Sequence, residues 1–301
     1  MPRILANGLR LEVEARGDPA APAVLLVMGL GMQLVAWPEA LCRALLDAGY
    51  RVIRFDNRDA GLSEGCEDAP PANLMLAAMR WMLRLPIAAP YTIESLAEDA
   101  RGVLDAMGAR EAHVVGVSLG GMVAQSFASA YPDRCLSLAS IMSSSGDRRL
   151  PPADLAVLRL LLSRPRPGAG TAELAAHFTR LFQAIGTPGQ DPAELSARVR
   201  AGVERSYRPD GTARQLLAVL ASGARSGQLA RIRAPTLVLH GEVDPLVPPA
   251  HGVDCARKIP GARLVRIPGM GHDLADVILP EVIASLLAHL ETARAAGQTR
   301  H

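Results

Sequence analysis

The chain has 301 residues, of which 49% are hydrophobic and 21% charged; that is enough apolar material for a large core and excludes a disordered or fibrous chain. Its 32 basic and 30 acidic residues leave a formal charge of +2. With no run of five or six like charges, nothing points to nucleic acid, and the expected partner is a small molecule or a protein.

The first residues lack the apolar run of a secretory signal, and no window approaches the ~18 uninterrupted apolar residues of a membrane span. Residues 9–15 (LRLEVEA) alternate apolar and polar side chains, which predicts an antiparallel edge strand with one wet face. Residues 23–28 (AVLLVM) and 51–55 (RVIRF) are short apolar runs separated by a helical pattern over 37–48. An apolar helix follows at 73–84 (NLMLAAMRWMLR), carrying Met75, Met79, Met82 and Trp81. It is either a packing helix or the lining of a substrate mouth or lipid-facing lid. Further helices are predicted at 92–107, 119–131 and 279–294, and further strands at 113–117, 137–142, 236–240 and 263–267. Strands alternating with helices predict an α/β fold, a mostly parallel central sheet flanked by helices.

Residues 146–227 break this rhythm with Pro- and Gly-punctuated helical segments at 154–162, 171–185, 194–206 and 212–221 and no strand-like run. They read as a helical cap, or lid, inserted into a core made of residues 1–145 and 228–301. Cys42, Cys66, Cys135 and Cys255 lack C-x-x-C spacing and read as free thiols in a reducing compartment, so a cytoplasmic protein is expected. The single lysine, Lys258, leaves one candidate for any lysine-based chemistry, in a polar segment.

The sharpest local feature is Gly116-Val117-Ser118-Leu119-Gly120, a G-x-S-x-G pentamer between a predicted strand and a predicted helix. In that context it is a nucleophile elbow, with Ser118 held above the helix N-terminus and the Leu119 N–H available to a developing oxyanion. A hydroxyl needs a base, and His272, in the Gly-rich loop after the last strand, is the candidate. The turn after residues 236–240 offers Glu242 and Asp244; Asp244, braced by Pro245, is assigned to His272, and Glu242 is left as a turn residue. The loop Met28-Gly29-Leu30-Gly31 offers a second oxyanion donor, the Leu30 N–H.

These segments, GVSLGG, GEVDPLVP and GMGHD, together with FDNRDAGLS at 55–63, resemble the α/β-hydrolase fold superfamily over nearly the whole chain outside the insertion. They also resemble the bacterial serine carboxylesterases related to aclacinomycin methylesterase. The resemblance implies a catalytic set of Ser118, Asp244 and His272, a structural role for Asp56 and Arg58, and no metal or organic cofactor. Met28-Gly29 replaces the His-Gly of many relatives, which makes the entrance more apolar. Relatives with an Asp nucleophile, dehalogenases and epoxide hydrolases, are set aside because Ser118 takes that place.

The expected activity is hydrolysis of small to medium, largely apolar carboxylic esters through an acyl-enzyme on Ser118. Met32, Leu34, Met75, Met79 and Trp81 are the candidate pocket residues. No basic cluster offers a phosphate or coenzyme A handle. Other triad chemistries (lipase, C–C bond hydrolase, cofactor-free perhydrolase, aminopeptidase, acyltransferase) and a non-catalytic binding role stay open.

Overall fold

The computed structural model describes residues 3–298 except 164 and 167. Its first element is a hairpin, β1 (Arg3–Ala6) and β2 (Leu9–Arg16), closed by Asn7-Gly8 with φ of 48° and 78°. Positive φ at both turn residues is what a two-residue hairpin turn with the strands' own twist requires, and Asn-Gly tolerates it. This hairpin corrects the expectation that residues 9–15 form the sheet edge. β1 takes the edge, and β2 is the second strand, paired on its other side with β4 (Arg51–Phe55).

The eight-stranded sheet runs β1-β2-β4-β3-β5-β6-β7-β8, with β3 (Ala23–Val27), β4, β5 (Ala112–Val117), β6 (Cys135–Ile141), β7 (Thr236–Gly241) and β8 (Arg263–Ile267) parallel. Because successive strand residues face opposite ways, Ala23, Leu25 and Val27 of β3 enter one core layer and Val24, Leu26 and Met28 the other. The first layer packs under α3 (Ile93–Ala106), α4 (Leu119–Ala130) and α10 (Ala250–Lys258). The second packs under α1 (Glu39–Asp47) and α11 (Leu279–Gln298). Lys258 ends α10 in ion pairs with Asp147 and Asp254, a structural position.

Between β4 and α3 lies α2 (Leu74–Met82). Between β6 and β7 lie α5 (Leu155–Leu162), α6 (Thr171–Ile185), α7 (Pro192–Arg205), α8 (Pro209–Ser222) and α9 (Ser226–Leu229). Buried charge ties this segment to the loop after β4. Asp59 accepts two bonds from Arg214 of α8, at 2.8 and 2.6 Å, and one from the Tyr91 hydroxyl at 2.8 Å. Asp56 accepts from the N–H groups of Leu34 and Leu62 and from Arg205 of α7, while Arg58 forks onto Asp99 of α3. FDNRDAGLS is thus a hub of satisfied buried charge. No helix among the described residues is long and apolar enough to cross a membrane.

Two buried imidazoles set an acid limit on the fold. Burial pushes His113 of β5 and His289 of α11 down from 6.5 to about 4. As pH falls through 6.5 the unfolded chain binds protons on both rings while the folded one stays neutral until about 4, so stability is present above that window and lost within it. Thermal melts are expected to show Tm falling between pH 6.5 and 4, and falling less steeply in His289→Gln; an equally steep fall in that variant would count against the assignment.

Candidate active site

The site is assembled at the carboxyl ends of the parallel strands. Ser118 links β5 to α4 with φ 54° and ψ −119°, a conformation side chains rarely adopt, which is stable only where the surroundings impose it. The surroundings here are glycines. A Cβ on Gly116 would lie 2.1 Å from the Gly120 carbonyl oxygen, and one on Gly120 would lie 2.0 Å from that of Val27. Strand, turn and helix therefore meet closely only with hydrogens at both positions. The Ser143 hydroxyl donates to the Ser118 carbonyl at 2.7 Å and braces the turn from β6.

Two loops converge on Ser118. Asp244 leaves the end of β7 and His272 the end of β8, and Gly241 lets the loops touch, since a Cβ there would lie 2.1 Å from the Met270 carbonyl oxygen. His272 Nδ1 lies 2.6 Å from Asp244 Oδ2, and its Nε2 lies 2.9 Å from Ser118 Oγ. The carboxylate offers only acceptors, so Nδ1 carries the proton and donates it, leaving Nε2 to accept from the Ser118 hydroxyl. Asp244 is fixed in turn by the N–H groups of Leu246 and Val247, which donate to Oδ1 at 2.9 and 2.8 Å. Glu242 stays at the surface beside Arg266.

A second imidazole, His240, approaches Asp244 Oδ2 to 3.7 Å. Its Nε2 donates to the Val247 carbonyl at 2.7 Å, and burial holds its pKa below the ordinary value. A neutral His240 does not compete with His272 for the carboxylate.

Among the described residues no protein acceptor takes the N–H of Leu30 or Leu119. A Cβ on Gly29 would sit 3.4 Å from Ser118 Cβ, so this loop lies directly against the serine. It is held from α8, where Gln215 accepts the Gly31 N–H at 2.8 Å. It is also held from α7, where Gln33 donates to the carbonyls of Gly202 and Ser206.

The histidine loop is fastened to the same insertion. The His272 N–H donates to the Ile185 carbonyl at 2.7 Å and the Gly271 N–H to Thr187 Oγ1 at 3.0 Å. Asp273 accepts from the Thr187 N–H and hydroxyl and from Gln190 Nε2. Asp273 thus ties the His272 loop to the residues after α6, and a positioning role is expected of it. Asp273→Ala is expected to slow fluorophosphonate labelling of Ser118 by about 10- to 100-fold, with the midpoint of its pH profile moved and Tm lowered only slightly. An unchanged labelling rate would refute that role. Sequence reasoning missed Gln215, Thr187, Gln190 and Asp273; the nearest signal was the acid directly after His272.

The structure does not gather the five apolar pocket candidates. Met32 is half-buried against the sheet, and Leu34 is fully buried with its N–H on Asp56, so it presents nothing to a ligand. Met75 and Met79 project from α2 into solvent, and Trp81 lies under the Arg148 guanidinium, 4.1 Å from its ring centroid. Contact of α2 with α8 leaves the side of the helix that bears Met75 and Met79 facing outward.

Comparisons with known proteins agree with this architecture. The family whose profile matches residues 22–277 is described as the alpha/beta hydrolase fold. Rhodomycin D methylesterase DnrP of Streptomyces peucetius is 30% identical, over 97% of this chain and 98% of its own. Among solved structures, a hydrolase from Pseudomonas aeruginosa PA01 is 30% identical with a TM-score of 0.70, covering 96% of this chain and 97% of that one. A meta-cleavage product hydrolase from Pseudomonas fluorescens IP01 shares the fold, with a TM-score of 0.75 at 20% identity and coverage of 97% and 98%.

Proposed function

The chain belongs to the alpha/beta hydrolase fold family and is a carboxylesterase-type hydrolase, and from that premise we propose that it cleaves small to medium, largely apolar esters through an acyl-enzyme on Ser118. The observation that carries the reading is the relay from Ser118 Oγ to His272 Nε2, and from His272 Nδ1 to Asp244, at 2.9 and 2.6 Å.

In this mechanism Ser118 Oγ attacks the ester carbonyl carbon as its proton passes to His272 Nε2. Asp244 stabilises the imidazolium, and the Leu30 and Leu119 N–H groups take the oxyanion. The alcohol departs with the proton from Nε2. Water then gives a proton back to His272, attacks the acyl carbon and releases the acid, restoring Ser118. Nothing in this sequence requires a cofactor. The inserted segment 146–227, with α5 to α8, serves as the cap. The arginines that α7 and α8 turn toward the core, Arg205 and Arg214, are already paired with Asp56 and Asp59, which favours an uncharged substrate. The named activity of the Streptomyces relative adds weight to methyl esters.

The test is a hydrolysis series with acyl chains from about two to sixteen carbons, methyl esters of bulky acids, a lactone and a dienoic ketone, followed by mapping of the fluorophosphonate label. Turnover of the esters with label on Ser118 is expected. Preferential cleavage of the ketone, or a label elsewhere, would overturn the reading.

A further inference from the structure

α2 carries an apolar stripe on the outside of the molecule. Met75, Leu76, Met79, Met82 and Leu83 recur at the i, i+1, i+4, i+7, i+8 spacing of one helix face, and Leu85 follows. Met75 is 85% exposed, Met82 74%, Leu83 61% and Met79 51%. The opposite face bears Ala77, which is buried, and packs on α8. A nine-residue helix whose apolar side chains stand in water while a small residue faces inward is arranged for contact with something outside this chain.

Charge identifies the occupant. Between Asp68 and Glu94 the only charged residues are Arg80 and Arg84. Arg80 is at the helix end, with Nε donating to the Pro86 carbonyl, and Arg84 follows directly. Trp81 stands on the Ala77 side of the helix, where the Arg148 guanidinium stacks on its ring beside a cleft lined also by Leu85 and Leu220. Exposed methionine and leucine side chains on a segment whose charged residues are both arginines suit a helix that lies in a lipid interface and favours anionic headgroups. Self-association through a two-fold axis would bring four arginines into one interface with no acidic residue of the segment 69–93 to pair with them, which works against it.

The topology adds a direction. α2 lies in the connection that leaves the carboxyl end of β4, and β4 runs parallel to β5, whose carboxyl end leads into Ser118. The stripe thus belongs to the same end of the sheet as the candidate active site. We propose that α2 and the turn after it dock this protein peripherally on an anionic lipid surface, with the catalytic end of the sheet facing the lipid. This proposal does not depend on the chemistry at Ser118, because its readout is binding.

The test is cosedimentation of the full chain with vesicles of phosphatidylcholine alone and with added phosphatidylglycerol. Binding to the anionic vesicles only is expected, weakening strongly when salt is raised about tenfold. Met82→Glu combined with Leu85→Glu, both at exposed positions, is expected to lower the bound fraction about tenfold. Arg84→Gln is expected to lower it about fivefold with an unchanged circular dichroism spectrum. Three outcomes would overturn the proposal. Wild type could fail to bind anionic vesicles, or the Glu variant could bind as wild type does. The protein could also be a dimer that the Glu variant splits, in which case the stripe is a protein interface.

Discussion

Replacing Ser118 by Ala is expected to lower ester turnover by about 10⁴- to 10⁶-fold while leaving Tm within a few degrees of wild type. The size of the effect follows from the roles assigned to the site. Without Oγ no acyl-enzyme forms, and His272 has no proton to accept from a nucleophile. What remains is substrate binding and the Leu30 and Leu119 N–H groups, which in triad enzymes sustain a small residual rate over water. Tm is expected to hold because the hydroxyl makes one protein hydrogen bond, to His272, while the backbone that imposes φ 54° is fixed by Gly116, Gly120 and Ser143. Alanine keeps the Cβ and adds no strain. Initial rates on a p-nitrophenyl ester with a parallel thermal melt check both halves; turnover within tenfold of wild type would remove Ser118 from the mechanism.

The second large effect is expected at Asp244. In Asp244→Asn the side-chain oxygen has a fixed place, because the N–H groups of Leu246 and Val247 both donate to Oδ1. The amide nitrogen must then face His272 Nδ1, now a donor where the carboxylate was an acceptor. The imidazole answers by putting its proton on Nε2, where it can no longer accept one from Ser118. A loss of about 10⁴-fold in kcat is expected for that reason. His240 does not rescue it, since its Nε2 is committed to the Val247 carbonyl. Steady-state kinetics beside a melt decide the matter. A loss below tenfold in a well-folded variant would mean that Asp244 does not set the His272 tautomer.

The fastening of both catalytic loops to the α6–α8 segment bears on how substrate reaches the site. A cap that swung away as a rigid lid would break the bond from Gln215 to the Gly31 N–H and the Thr187 and Gln190 bonds to Asp273 together. That would disorganise an oxyanion donor and the base at once. In the proposed mechanism the segment is part of the framework that holds the site, and the α2 side of the molecule, outside that framework, carries the proposed approach to lipid.

What the sequence determined by itself was local chemistry and chain order. The elbow is readable because Gly116, Ser118 and Gly120 are constrained by their immediate neighbours in strand, turn and helix, and because Asp244 and His272 each follow a run of β residues. The Asn7-Gly8 turn is an equally local signal, but the alternation at 9–15 alone does not reveal the short β1 that takes the edge. Tertiary structure decided what depends on residues far apart in the chain. Thr187 meets Asp273 across 86 residues and Gln215 meets Gly31 across 184, and no periodicity encodes such pairings. The apolar character of α2 was plain from its residues, but which side faces water was not. A helical stripe has the same pattern whether it covers a core or stands in solvent, and only the packing of α8 against the opposite face settled it.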